Sequence, residues 1–188
     1  MSRVLIVYGT THGQTAKITE ALARTLGSYG SLVDVMNVAS KPWLSPAGYN
    51  AVIVAASIHS GGFQRTVNRW ARTYAHDLNQ KPTAFIPVCL AVLDHSDASR
   101  QAIEKIMQNF FMKTGWLPTF RKVVAGALPY SKYSWFTRRL MRQIVAKTGG
   151  DTDMSRDYEY TDWKDLEAFA REFHDRALAH TVALRAIA

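Results

Sequence analysis

A chain of 188 residues has room for one domain with a substantial buried core. Its single cysteine, Cys89, excludes an internal disulfide and fits a reducing compartment. The net charge of +8 is concentrated: residues 105–150 carry nine Lys or Arg and no Asp or Glu, so this segment calls for an anionic partner.

The chain begins with a continuous apolar and β-branched run, Val4 to Tyr8, the pattern of a strand covered on both faces. Gly9 breaks it, and Thr10, Thr11, His12, Gly13, Gln14 and Thr15 lead into a helix over about 15–29. A second strand is expected over 32–38, a loop with Pro42, Pro46 and Gly48 over 41–50, and a third strand over 51–56. Ser57, Ile58, His59, Ser60, Gly61 and Gly62 then form a loop of small residues that a ligand can approach closely. Helical spacing follows over about 64–78, with Arg65, Arg69 and Arg72 between the apolar positions, and a fourth strand over 83–90 has Pro87 as a bend or end. Residues 94–99 can cap a helix to about Met112, a fifth strand is expected over 122–128, and Thr161-Asp162-Trp163 starts a last helix through Phe173.

Strand and helix alternate five times with short links, so the fold class is α/β, a doubly wound parallel sheet of order 2-1-3-4-5. Residues 1–180 form one domain with an insert at about 129–160, and 181–188 a tail. Ligands of such sheets bind at the carboxyl ends of the strands, at the switch point between strands 1 and 3. That brings the Thr10 and His59 loops side by side, with Pro87, Val88, Cys89, Leu90 and Ala91 as the third wall.

The first loop has the chemistry of an anion site, because helix-start N–H groups and the helix dipole favour negative charge. It lacks the Lys of a nucleoside-triphosphate loop and the Gly-x-Gly-x-x-Gly of dinucleotide folds. Hydroxyls and amides without a cation suit one monoester phosphate. A structural βα turn without ligand is the competing reading.

Residues 129–160 exceed what a plain five-strand unit needs. Tyr130, Tyr133 and Trp135 lead into a helix with Phe136, Leu140, Met141, Ile144 and Val145 on one half and Arg138, Arg139 and Arg142 on the other. Three readings stand: a surface helix packed on the domain, an interfacial helix on an anionic membrane, or, more weakly, a nucleic-acid contact that no nucleic-acid module accompanies. Gly149-Gly150 reads as a helix stop, and Asp151, Asp153, Asp157 and Glu159 as a solvated turn without calcium-loop spacing. The six histidines show no zinc spacing, and no catalytic triad is present. No apolar run approaches the roughly 18 residues that span a bilayer, and no signal peptide is visible. The expected location is cytosolic or peripheral on the inner membrane.

Thr10, Gly13 and Thr15 resemble the phosphate loop of flavodoxin-like proteins, which holds FMN. Across the chain, the Gly9-to-Thr15 loop, Ala56-Ser57-Ile58, Ala125 to Leu128 with Tyr130 and Tyr133, Gly149 to Asp153, and Tyr160-Thr161-Asp162-Trp163 resemble the bacterial menaquinone-dependent protoporphyrinogen oxidases. The resemblance implies an FMN enzyme that oxidises protoporphyrinogen IX in haem synthesis and passes electrons to menaquinone or ubiquinone. It implies Thr10–Thr15 for the phosphate, Ser57–Gly61 and Pro87–Ala91 for the ring, and Tyr130, Tyr133, Trp135, Arg138, Arg139 and Arg142 for substrate or membrane. The flavin would carry the chemistry. His12 stands where flavodoxins have Thr, and Ser60 where the family has an aromatic residue. A flavodoxin-type electron carrier and an FMN-dependent NAD(P)H:quinone reductase are the alternatives; nucleic acid is not an expected partner, and self-association stays open.

Overall fold

The computed structural model describes residues 1–41, 43–147 and 151–178. Its main sheet is built from β1 (Arg3–Gly9), β2 (Leu32–Asn37), β3 (Ala51–Ser57), β4 (Thr83–Cys89), β5 (Phe120–Arg121) and β6 (Val124–Ala125). The order is β2-β1-β3-β4-β5, with β6 also on β4 and every pair parallel, as the sequence pattern requires. Helices α1 (Gln14–Ser28), α2 (Arg65–Thr73), α3 (Ala75–Asn79), α4 (Asp97–Thr114), α5 (Trp135–Lys147) and α6 (Trp163–Phe173) complete the domain. A small antiparallel pair, β7 (Ala127–Leu128) and β8 (Tyr158–Glu159), stands apart from the sheet.

Alternation along the central strands sends side chains to two cores. Val4, Ile6, Ile53 and Ile86 meet α1 and α6 through Ile18, Leu22, Phe169 and Phe173. Leu5, Val7, Val54 and Phe85 meet α2 and α4 through Val67, Trp70, Met107 and Phe110 on the other face. Leu128, Tyr130 and Val145 form a third, smaller core beneath the inserted segment. The register fixes the level of the loops: Gly9 lies opposite Ala56, and Ser57 opposite Val88. The loops after β1, β3 and β4 therefore leave the sheet along one edge.

Local chemistry accounts for the helix ends. The Ser96 side chain caps α4 by accepting from the Ser99 N–H, and Gly115 ends it at a φ of +72°. The Asp162 carboxylate accepts from the Asp165 N–H at 3.0 Å and caps α6.

Three expectations are corrected. The helix over 64–78 is two helices, because Tyr74 leaves helical geometry at a φ of −107° and donates its hydroxyl to the Trp43 carbonyl. Pro87 does not end its strand, which runs on to Cys89. The single strand expected over 122–128 is instead two short pieces, β6 and β7, and pairing with β4 already begins before it, at β5. Pro87 supplies the reason. Phe85 and Cys89 accept from Lys122 and Gly126, so the odd-numbered peptide groups of β4 face the fifth strand. Pro87 has no N–H to offer on that side, opposite the gap between Arg121 and Val124.

The expectations for Pro42, for Gly149-Gly150 as a helix stop and for the 181–188 tail fall outside the described residues, as do the side chains of Leu140, Met141 and Ile144. Among the described residues, no helix is long and apolar enough to cross a membrane.

Candidate functional site

The loop after β1 is folded around its own hydroxyl. Thr10 Oγ1 accepts from the Gly13 N–H at 2.9 Å, and Gly13 takes the left-handed φ of +98° that only glycine adopts without cost. No side chain caps α1, and no acid sits in its first turn. Thr15 is 1% exposed, and its Oγ1 is a buried polar atom without a hydrogen-bond partner among the described residues. A buried hydroxyl costs about 1–3 kcal/mol when unpaired, so an uncapped helix start beside one is a cradle suited to an anionic oxygen. A terminal phosphate fits this donor set.

Gly9 has no room for a side chain: a Cβ there would stand 2.5 Å from Val67 Cγ2 and 2.9 Å from Gln64 Oε1. Gln64 itself was not a candidate from sequence. Its Nε2 donates to Ser57 Oγ at 2.6 Å and to Thr11 Oγ1 at 3.4 Å, tying the first two loops together.

The loop after β3 closes into a tight hairpin in which His59 and Gly62 exchange both backbone hydrogen bonds. Ser60 and Gly61 occupy its tip at φ of +48° and +77°. The His59 ring of this loop joins two rings that reach it from elsewhere. His12 lies edge-on to His59 with centroids 5.6 Å apart, and Tyr133 lies edge-on to His12 at 4.9 Å. Burial, then the nearby Lys132 ammonium, lowers the His12 imidazole below its ordinary range; burial, then His12, lowers His59. Both rings are neutral at pH 7. Tyr133 is pushed up to about 12 by burial first, and burial likewise raises the Cys89 thiol, holding it protonated.

A cavity of about 250 Å³ opens between these loops. From the expected set, Thr10, His12, Gln14, Thr15, Ser57, Ile58, His59, Ser60, Val88, Cys89 and Leu90 line it. Thr11, Gly13, Gly61, Pro87 and Ala91 do not, acting on backbone shape instead or facing elsewhere. Gly126 and Ala127 join the lining unforeseen, where the chain leaves β6 beside Cys89, whose carbonyl accepts from the Gly126 N–H. A Cβ on Gly126 would meet Val88 Cγ1 at 3.3 Å, the one local trace of that closeness.

The inserted segment supplies Tyr133 to the cavity wall. Lys132 donates to the His12 carbonyl at 3.0 Å, Lys17 pairs with Glu159 at 2.8 Å, and Gln14 Nε2 donates to Thr161 Oγ1, which donates to the Ala125 carbonyl. Insert and first loop are thus laced together. Tyr130, from the expected substrate or membrane set, has its ring fully buried in the third core, and its hydroxyl donates to the Asp151 carbonyl. Arg138 is part-buried and donates from Nε to the Tyr130 carbonyl at 3.0 Å. Trp135 and Phe136 project outward, 65% and 80% exposed, with Arg139 over the Trp135 ring at 5.7 Å and Arg142 exposed. Phe136 therefore leaves the packed half of the helix on which Val145 is buried.

Residues 5–155 match the flavodoxin domain family. The chain is 33% identical over 170 residues to the protoporphyrinogen IX dehydrogenase (quinone) of Escherichia coli K12, covering 90% of this chain and 93% of that protein. It is 32% identical over 180 residues to the protein of the same name from Leishmania major, covering 94% and 77%. Among solved structures, flavodoxin 1 of Bacillus cereus superposes with a TM-score of 0.57 at 13% identity, covering 93% of this chain and 99% of that one. The Streptococcus pneumoniae TIGR4 flavodoxin does so with 0.56 at 17% identity, covering 94% and 100%. These structures share the fold.

Proposed function

The chain belongs to the flavodoxin domain family and is a flavodoxin-like oxidoreductase of the protoporphyrinogen IX dehydrogenase kind, and on that premise we propose that it oxidises protoporphyrinogen IX with FMN and delivers the electrons to a membrane quinone, menaquinone or ubiquinone, in haem synthesis. The observation that carries the proposal is the meeting of two features in one cavity: the Thr15 hydroxyl, without a partner among the described residues, at an uncapped helix start, and Tyr133 contributed by the insert.

FMN, when bound, supplies the two-electron acceptor chemistry. Thr10, Thr15 and the first-turn N–H groups of α1 would hold its phosphate, while Ser57 to Ser60 and Val88 to Leu90 would border its ring. The chain's own contribution is positional. Gln64 keeps the first two loops at one separation, and the lacing through Gln14, Lys17 and Lys132 holds the insert over the site. His12 and His59, neutral and half sheltered, are acceptors for the protons that leave the substrate's ring nitrogens and bridging carbons.

For the membrane side, the exposed Trp135–Phe136 pair beside Arg139 and Arg142 fits reversible attachment to an anionic surface. An apolar aromatic end and a cationic flank are what an interfacial helix needs, and a quinone resides in the lipid. Anaerobic mixing of the flavin-loaded protein with protoporphyrinogen should bleach the flavin, and added menaquinone or ubiquinone should restore it. Bleaching by NAD(P)H with none by protoporphyrinogen would replace the proposal with the quinone-reductase alternative.

A further inference from the structure

A second and larger cavity, about 520 Å³, lies beside the first, in a groove between α2 and α4. From α2 it is lined by Arg65, Asn68, Arg69 and Arg72, and from α4 by Ile106, Asn109, Phe110 and Lys113. Both sets follow i, i+3, i+4, i+7 spacing, so each helix turns one complete stripe toward the groove. The walls are cationic and carry amides, while Phe63, Ile106 and Phe110 give a partly apolar floor. Among the described residues, no Asp or Glu lines it.

The arginines have no internal reason to be there. None of Arg65, Arg69, Arg72 and Lys113 has an ion-pair partner among the described residues. Arg65 opens α2, where the helix dipole disfavours a cation and no acid offsets it. Arg65 and Arg69 are a like-charged i, i+4 pair, with Arg72 a further turn along; only Arg72 suits its end of the helix. A nine-residue helix that repels itself along one stripe is a local conflict, of the kind tolerated where a ligand relieves it.

Position identifies the ligand's chemistry. The turn at Ser60–Gly61 is the wall shared by the two cavities: Ser60 lines the first and Gly61 the second. Asn68 fastens this turn's exit by donating from Nδ2 to the carbonyls of Phe63 and Gln64, both at 3.1 Å. A molecule at the rim of the first cavity can extend into the groove without leaving the protein. Guanidinium forks match carboxylates in bidentate geometry, and the apolar floor suits a body of rings better than a bare ion.

Resting on the dehydrogenase reading above, we propose that the α2–α4 groove is the carboxylate-recognising subsite for the substrate, in which Arg65, Arg69 and Arg72 bind the acidic side chains of a tetrapyrrole whose ring edge reaches the first cavity. The insert is then free to serve the membrane. Substrate carboxylates and lipid headgroups would be met by separate sets of cations on opposite flanks of the site.

Protoporphyrin IX and its dimethyl ester are the probes, titrated by fluorescence quenching into the flavin-loaded protein. The wild-type protein should bind the diacid at least tenfold more tightly than the diester. R65Q/R69Q/R72Q should lose that preference, whereas R24Q/K41Q/K164Q, which removes the same charge elsewhere, should keep it. The first triple variant should also unfold at a temperature no lower than wild type without ligand, since it removes repulsion, and should no longer be stabilised by the diacid. A retained diacid preference in R65Q/R69Q/R72Q, or an equal loss in both triple variants, overturns the subsite. If protoporphyrinogen still bleaches the wild-type flavin in those cases, only the groove assignment falls. If wild type neither binds the diacid nor is bleached, the dehydrogenase reading falls with it.

Discussion

The two flanks of the cavity at the strand ends are built on different physics. On the sheet side, position follows from backbone register: Gly9 opposite Ala56 and Ser57 opposite Val88 set the loops at one level, and the strands beneath are buried on both faces. On the insert side, a small core and the β7–β8 pair hold the segment together, and individual side-chain links fasten it to the first loop and α1: Lys132 to His12, Lys17 to Glu159 and, just past the insert, Gln14 to Thr161. The register is cooperative and cannot be lost one bond at a time, whereas the links are separable. The sheet flank is therefore rigid, and the insert can be loosened without unfolding the domain.

Gly9→Ala tests the rigid flank most severely. The new methyl group has nowhere to go between Val67 and Gln64, so the variant should lose about 3 kcal/mol in chemical denaturation, as overpacked cores do, and lose flavin as well. An unchanged denaturation midpoint would show that the sheet edge yields more readily than its register implies.

Thr15→Val separates stability from binding on the same flank. The hydroxyl has no hydrogen-bond partner among the described residues, so its removal should leave thermal unfolding unchanged or slightly improved. Flavin affinity, read by fluorescence titration, should fall about 10–100-fold, the worth of one hydrogen bond to a charged oxygen. Undiminished affinity would remove Thr15 from the phosphate cradle.

Tyr130→Phe addresses the insert alone. Losing its bond to the Asp151 carbonyl should cost about 1 kcal/mol, seen as faster hydrogen exchange across 129–160 with the central strands unaffected. Equal acceleration in β1 and β3 would mean that the flanks unfold together.

Acidity gives the smallest effect. Both site imidazoles titrate below the ordinary histidine value of 6.5 in the folded protein, so the unfolded chain takes up these protons first as the pH falls. Stability from this source is complete above the ordinary value and is lost as the pH drops through it. The Asp157 carboxylate, lowered first by the Ser131 hydroxyl, adds a second loss below the ordinary carboxylate range. Thermal unfolding followed from pH 7.5 to 5 should show a falling midpoint, and H12Q/H59Q should show a shallower slope. Parallel slopes would refute a role for the pair.

The sheet flank was largely legible in the sequence, because uninterrupted apolar runs, a glycine break and a hydroxyl-rich helix start are local patterns with local causes. Strand order followed from the same patterns and the handedness of crossovers. What escaped was set by distant neighbours. The break in the fifth strand depends on Pro87, some 35 residues earlier and on another strand. Gln64 reads as an ordinary helix-start residue until folding brings Ser57 and Thr11 beside it. Arg65, Arg69 and Arg72 read as a solvated face until α4 brings Lys113 across from them. In the insert, helical periodicity located α5, but the same pattern could not show Phe136 outside and Tyr130 within, since a short core's depth is decided by the strands under it.

The pairing of β7 with β8 gives the insert one further property. Leu128 faces Tyr158 and Ala127 faces Glu159, so the chain departs and returns through a single doorway. Everything between is topologically a cassette. A tight two-residue turn joining Leu128 to Tyr158 would leave every strand of the main sheet and the last helix where they are, and would yield a plain carrier-like domain. The reverse graft, fitting the cassette to a small electron carrier with the same fold, would transplant the exposed Trp135–Phe136 head onto a ready-made body of the same topology.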